Sequence, residues 1–359
     1  MILTKTPFRI SLAGGGSDLP AFYRRRAGAV LTSTVDKAMY IAIHPYFHDK
    51  IRIKYSRMED VSSTSEVQHP LVRECLQQVS IKRGMEIASF ADVPAGSGLG
   101  SSSAFTVGLL HALYAKSGIQ PGARRLAEEA CVIEIERVQE PIGKQDQYAV
   151  ACGGMNFIRF HPDGSVEIEP VNCSVQTREA LSQRLMLFYV GKERPAGSIL
   201  AEQSRNMADK DKFNQVVQMV DLAEALRGAL ERNNLDSLGD ILDQGWQLKR
   251  GLASGITNSL IDTSYRRARE AGAEGGKLLG AGAGGFLLLS CRPDKQQQVR
   301  EALAGLREMS VALTCEGSQL LLDDGCNVPI LATKGDPDAE PQPISCANDS
   351  SGGIDGSMG

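Results

Sequence analysis

Residues 94–103 read PAGSGLGSSS, and this stretch constrains the fold more than any other in the chain. After Pro94, the glycines Gly96, Gly98 and Gly100 alternate with Ser97 and Leu99, and Ser101, Ser102 and Ser103 follow. From Ala104 onward Phe105, Val107, Leu109, Leu110 and Leu113 fall at helical spacing. Glycine admits turns and close backbone approaches that a side chain blocks. A glycine turn that runs into a helix leaves amide N–H groups without partners, and these and the helix dipole favour an anion, phosphate above all. The serine hydroxyls add hydrogen bonds or a metal ligand. No G-K-[ST] follows the glycines, so this is not a Walker A loop and the positive charge for a bound phosphate has to come from elsewhere. The bland alternative is a flexible loop with a serine N-cap. A leucine fixed between glycines, and serines that abut a helix, count against it.

The 359 residues suit two medium domains or one large one, and 42% apolar residues supply a core. A net charge of −4, with both signs interspersed, gives no general attraction to nucleic acid or to an acidic membrane surface. An anionic substrate has to be met by a local cluster. None of the eight cysteines forms a CxxC pair, which argues against a zinc ribbon or a redox motif. Cys131 and Cys291 stand in apolar runs and read as core thiols. Lys5 and Arg9 interrupt the short apolar start, and no apolar run is long enough to cross a bilayer. The expectation is a reduced, cytoplasmic protein; a homodimer is compatible with the composition.

Residues 2–13 predict a strand, broken by Gly14-Gly15-Gly16, with Ser17-Asp18 as a cap for a short helix from Leu19. Strands are expected over 29–43 and 50–55, a polar loop over 56–69, a helix over 70–82 and a strand over 86–92 that delivers the glycine loop. A helix from Pro121 carries Glu134 and Glu136, GKQDQYAV opens another, and 153–160 with 166–171 reads as a hairpin. After a strand at 184–190, helices are expected near 198–208, 212–232, 235–252 and 258–271. A second glycine turn, GGKLLGAGAGG, leads into FLLLS, then comes a helix over 294–308 and one or two strands over 310–322. From about Thr333 the chain is Pro, Gly, Ser and Asp and is expected to be disordered.

Three segments, TPFRISLAGGGSD, PAGSGLGSSSA and KLLGAGAGGF, together resemble the GHMP kinases, the family of galactokinase and mevalonate kinase. The middle one matches the family pattern P-x-x-x-G-L-G-S-S-A, with Ser103 where alanine is usual. The resemblance implies an α+β fold with a ribosomal-protein-S5-domain-2-like N-terminal domain, 1–180, and a ferredoxin-like C-terminal domain, 181–332, with the site in the cleft between them. It also implies an ATP-dependent kinase that uses Mg2+. TPFRISLAGGGSDLPAFY, IERVQEPIGKQDQYA and LASGITNSLIDTSY are similar to the members that phosphorylate the anomeric hydroxyl of D-glycero-D-manno-heptose 7-phosphate. Fucose kinases share much of the pattern. An inactive nucleotide- or sugar-binding member is a further alternative, against which the joint presence of Arg9, Ser102, Glu136 and Asp146 argues.

By the same resemblance, residues 94–103 bind the nucleotide phosphates, and Ser102 and Glu136 hold the metal, with Glu134 as the alternative carboxylate. Asp146 acts on the acceptor hydroxyl as base or orienting group; an isolated aspartate there would more simply cap a helix. Arg9 pairs with Asp146 and touches the γ-phosphate, with Lys5 a weaker second candidate on the same face of a regular strand. Gly16, Ser17 and Asp18 contact sugar hydroxyls, and Gly282 and Ala283 line the site from the second loop. A phosphate on the sugar needs a cation, for which Lys144, Lys192, Arg194, Lys249 and Arg250 are candidates. His111 and Trp246 read as packing residues.

Overall fold

The computed structural model describes residues 1–81, 83–192 and 196–325. The tail from 333, Arg194, and the side chain of Lys192 lie outside the described residues. Thirteen strands are present among the described residues. They are β1 (Ile2–Ala13), β2 (Gly28–Pro45), β3 (Ile51–Lys54), β4 (Met58–Val61), β5 (Met85–Ala91), β6 (Met155–Phe160), β7 (Val166–Pro170), β8 (Leu185–Lys192), β9 (Gly275–Leu278), β10 (Gly284–Ser290), β11 (Arg307–Met309), β12 (Leu313–Thr314) and β13 (Gln319–Asp323). The α-helices are α1 (Pro20–Tyr23), α2 (Pro70–Gln78), α3 (Ser101–Lys116), α4 (Ala123–Cys131), α5 (Gln145–Cys152), α6 (Val175–Arg184), α7 (Ala196–Asn206), α8 (Lys210–Glu231), α9 (Leu238–Arg250), α10 (Ser259–Glu270) and α11 (Gln296–Ala302).

Two sheets organise these elements. The first runs β13-β1-β2-β5-β3-β4, with β6, β7 and β12 attached through β2. Its pairs are antiparallel except β3 with β5. The second has the order β11-β8-β10-β9, all antiparallel. β1 alternates in burial over its first residues and is buried throughout from Thr6 on, where α3 and α8 cover it. Gly108 lets α3 lie close on β1: a Cβ there would stand 2.8 Å from the Thr6 hydroxyl, and Thr4 donates to the Gly108 carbonyl at 2.9 Å. The fold is α+β, as the sequence resemblance implies.

Several local expectations are corrected. The β1–β2 register shifts between Pro7 and Arg9, since proline has no N–H for the ladder. Lys5 and Arg9 therefore serve different partners: Lys5 reaches Glu316 at 3.5 Å, while Arg9 enters the cleft. Ser17 and Asp18 do not cap α1; Leu19 is the N-cap and Pro20 opens the helix. Residues 56–69 contain β4, which pairs with β3. The helix expected over 294–308 ends at Ala302 and gives way to β11. Trp246 is fully buried, and His111 meets the Ser318 hydroxyl at 2.9 Å.

Candidate active site

The glycine loop after β5 ends in α3, whose N-cap is Gly100 in the left-handed conformation, φ 75°, with no side chain bonded to the helix start. The first-turn amides of a sixteen-residue helix are thus left for a ligand. Gly96, Gly98, Gly100, Ser101 and Ser102 line a cleft. Ser97 and Leu99 are buried and do not line it; they clamp the loop. The Ser97 carbonyl accepts from the Phe286 amide at 3.1 Å, and the Leu99 carbonyl from the Arg9 amide at 3.0 Å. Pro94 is exposed and away from the cleft. The two glycine turns touch backbone to backbone: a Cβ on Gly98 would stand 2.5 Å from the Leu279 carbonyl oxygen, and one on Gly280 2.5 Å from the Gly98 Cα. Gly282 lines the cleft, but Ala283 is buried and donates its amide to the Ile256 carbonyl.

Across the cleft, Arg9 grips Asp146 with two parallel bonds, Nε to Oδ1 at 2.7 Å and Nη2 to Oδ2 at 2.6 Å. Its Nη1 donates to the Gly98 carbonyl at 2.7 Å. Planar guanidinium suits this fork, which fixes the carboxylate's plane as well as its position. Arg9 is 4% exposed and Asp146 24%, so one edge of the acid faces the cleft. Asp146 lies in the first turn of α5 and does not cap it; Lys144 is the N-cap. Asp18 accepts from the Gly16 amide at 3.0 Å and from the Gln145 amide at 3.4 Å. Burial, and then the charge of Asp146, push the Asp18 carboxyl above its usual range, against the pull of these amides. Gly143 is required beside it, since a Cβ there would collide with the Asp18 carboxylate. Gly16 lines the cleft, but Ser17 does not: its hydroxyl donates to the Gly14 and Ala29 carbonyls and holds the turn.

Glu136 is exposed and does not line the cleft. Glu134, two residues earlier in the π-helical turn Val132–Arg137, does not line the cleft either, but it is the carboxylate that meets Ser102. Its carboxylate is fully buried and accepts from Ser102 at 3.2 Å, Ser103 at 2.8 Å, Thr106 at 2.8 Å and the Gln147 amide. Burial raises its pKa, while the hydroxyls and Gln147 pull it down. Magnesium takes hard oxygen ligands at about 2.0–2.1 Å and retains waters. The 3.2 Å between Ser102 Oγ and Glu134 Oε1 is close to the roughly 3 Å edge of such an octahedron. Ser102 lines the cleft and buried Glu134 stands behind it, so a metal held by this pair displaces the hydrogen bond between them; no group of three or more His, Cys, Asp or Glu is assembled for a metal among the described residues.

Of the other cations, Lys144 donates to the Gly164 carbonyl and Arg250 pairs with Asp262; neither lines the cleft. Lys249 does, and so does Lys277, which sequence reasoning missed. A lysine between two glycines and two leucines, in a segment otherwise fit for burial, was the available signal. Gln203 and Ser11 also line the cleft and were not anticipated.

An anion cradle without a Walker lysine, facing a carboxylate clamped by arginine, belongs to a phosphotransferase that acts on a hydroxyl group. Residues 69–154 match the model of the GHMP kinases N terminal domain, and residues 226–306 that of the GHMP kinases C terminal domain. The chain is 27% identical over 314 residues to D-glycero-alpha-D-manno-heptose 7-phosphate kinase of Campylobacter jejuni, covering 84% of this chain and 93% of that one. It is 26% identical over 331 residues to the bifunctional fucokinase/GDP-fucose pyrophosphorylase of Arabidopsis thaliana, covering 85% of this chain but 31% of that protein's length. In fold it is similar to a D-glycero-D-manno-heptose 1-phosphate kinase from Bacteriodes thetaiotaomicron, with TM-score 0.73, 23% identity, and coverage of 90% and 99% of the two chains. The chain belongs to the GHMP kinases and is a sugar kinase with ATP as co-substrate. No helix among the described residues is long and apolar enough to cross a membrane.

Proposed function

We propose that this kinase transfers the γ-phosphate of ATP to the anomeric hydroxyl of D-glycero-D-manno-heptose 7-phosphate, giving the 1,7-bisphosphate. The observation that carries the reading is Asp146, held in the fork of Arg9 with one edge open, between the α3 N-terminus and buried Asp18. The likeness to a heptose 7-phosphate kinase over most of both chains supports the choice of sugar. Phosphoryl transfer needs in-line positioning and charge neutralisation more than covalent help. Glycines 96, 98 and 100 and the first turn of α3 receive the donor phosphates. Asp146 orients the acceptor hydroxyl or accepts its proton, and Arg9 fixes that carboxylate. Asp18 receives sugar hydroxyls, for which a carboxylate offers several acceptor sites. Ser102 and Glu134 would hold Mg2+, which neutralises phosphate charge when bound. The cleft is lined from both halves of the chain, from Arg9 to Asp146 and from Gly197 to Gly284.

The test is ADP release on a panel of acceptors that includes heptose 7-phosphate, fucose and galactose. Turnover is expected on heptose 7-phosphate. Turnover on fucose with none on heptose 7-phosphate overturns the assignment in favour of a fucokinase.

A further inference from the structure

Lys249 and Lys277 are 7% and 5% exposed, and both line the cleft. Lys249 donates to the Gly280 carbonyl and, at 3.5 Å, to that of Leu278. Lys277 donates to the carbonyls of Ser11 at 2.8 Å and Leu12 at 3.4 Å. The Lys249 ammonium has three donors and uses two, whereas burial, then the charges of Lys249 and Arg9, push the Lys277 pKa well below its usual value; neither lysine meets a carboxylate among the described residues. A buried charge without an opposite charge is costly, and chains keep one where a ligand completes it. Two further buried groups in the same cleft have no partner: Ser11 Oγ at 6% exposure and Gln203 Nε2 at 2%. The nearby carboxylates do not balance the lysines. Asp146 is taken up by Arg9, and Asp18 accepts from the Gly16 and Gln145 amides; neither makes an ion pair with a lysine among the described residues.

We propose that Lys249, backed by Lys277, Ser11 and Gln203, forms a phosphate-binding subsite distinct from the glycine loop. Its ligand is a tetrahedral phosphate dianion, supplied either by the phosphoryl group in transit or by the phosphate ester of the acceptor. Arg9 of β1, Asp18 after it and Asp146 of α5 are the charged groups that act on Lys249, and Lys249 in turn helps to lower the pKa of Lys277 of β9. The inference rests on the reading of the cleft as a site of phosphoryl transfer.

Calorimetry on the full chain in saturating MgADP, which occupies the loop, reads the binding of inorganic phosphate directly. Wild type is expected to bind phosphate, and Lys249→Met to lose about tenfold or more in affinity. Lys249→Arg keeps its charge and is expected to retain more of the binding than Met does. Equal phosphate affinity in wild type and Lys249→Met, or no binding by wild type, overturns the proposal. So does a loss of MgADP affinity in Lys249→Met as large as the loss for phosphate, because the side chain then supports the loop rather than the anion. Kinetics on heptose 7-phosphate and unphosphorylated heptose separate the two sources. A rise in KM confined to the phosphorylated sugar assigns the ester phosphate to the subsite. An equal fall in kcat on both assigns the transferred group. Rates within about twofold of wild type on both acceptors overturn the proposal.

The pH profile adds a readout that a structural lysine would not move. Burial first, and the charge of Arg9 next, lower the Lys249 pKa to about 8. The anion-binding ammonium is present below that pH and lost above it, so kcat/KM of wild type falls as pH rises through about 8. Lys249→Arg lacks this limb; its persistence in that variant overturns the proposal. A wild type that phosphorylates no sugar phosphate defeats the proposed acceptor alone, since the phosphate titration uses no sugar.

Discussion

Arg9 spends two donors on Asp146 and a third on the Gly98 carbonyl, so one side chain ties the acceptor acid to the donor loop. Asp146→Asn replaces one accepting oxygen with an NH2 that faces guanidinium donors. The variant is expected to keep ATP affinity and lose about 10²–10⁴ in kcat, measured by nucleotide titration and ADP release. A kcat near wild type would remove Asp146 from its role. Arg9, Asp18 and Asp146 were legible in the sequence because each sits in a compact motif. Glu134 was harder to choose over Glu136. Both are acidic, and which one faces inward depends on the phase of a helix that turns π at Val132. A signal was present: Ala127, Cys131 and Glu134 follow the i, i+4, i+7 spacing of the buried face. Lys277 was hidden for the opposite reason, since charge in a buried strand runs against the rule that locates strands.

Among the elements, the two glycine turns form a contact that tolerates no added side chain. Gly98 has φ 84°, and its absent Cβ leaves room for the Leu279 carbonyl. Gly98→Ala adds about 1–2 kcal/mol of left-handed strain to a backbone clash, and is expected to lower thermal stability and raise the KM for ATP. Gly118→Ala is the control. Its φ is 69°, but its Cβ would meet nothing within 4 Å, so it carries the strain without the clash. Equal stability loss in the two variants would show that the contact between turns is unimportant. Long elements rich in apolar residues, such as β1, α3 and α8, could be read from sequence. β9 could not, because Gly275 and Gly276 remove the side chains that would reveal alternation. α6 was also missed: Thr177 and Leu181 are its only buried residues, too few to mark a face.

At the scale of the molecule, the last described strands do not stay with the second sheet. β12 pairs with β2, and β13 pairs with β1 from Ile2↔Asp323 to Lys5↔Gln319. Thr6 and His111 also meet the Ser318 hydroxyl, which fastens this return to β1 and α3. A chain ending at residue 312 leaves the outer edge of β1 unpaired. It is expected to aggregate or to melt well below the full chain, by calorimetry or light scattering. A soluble fragment with the full chain's melting temperature would show that β12 and β13 add nothing to stability. The arrangement has a consequence for synthesis. β13 leaves the ribosome about 300 residues after β1, roughly 15–60 s later at ordinary elongation rates. Through that interval the strand that carries Arg9 has an open edge, and the first sheet closes only once β13 has emerged.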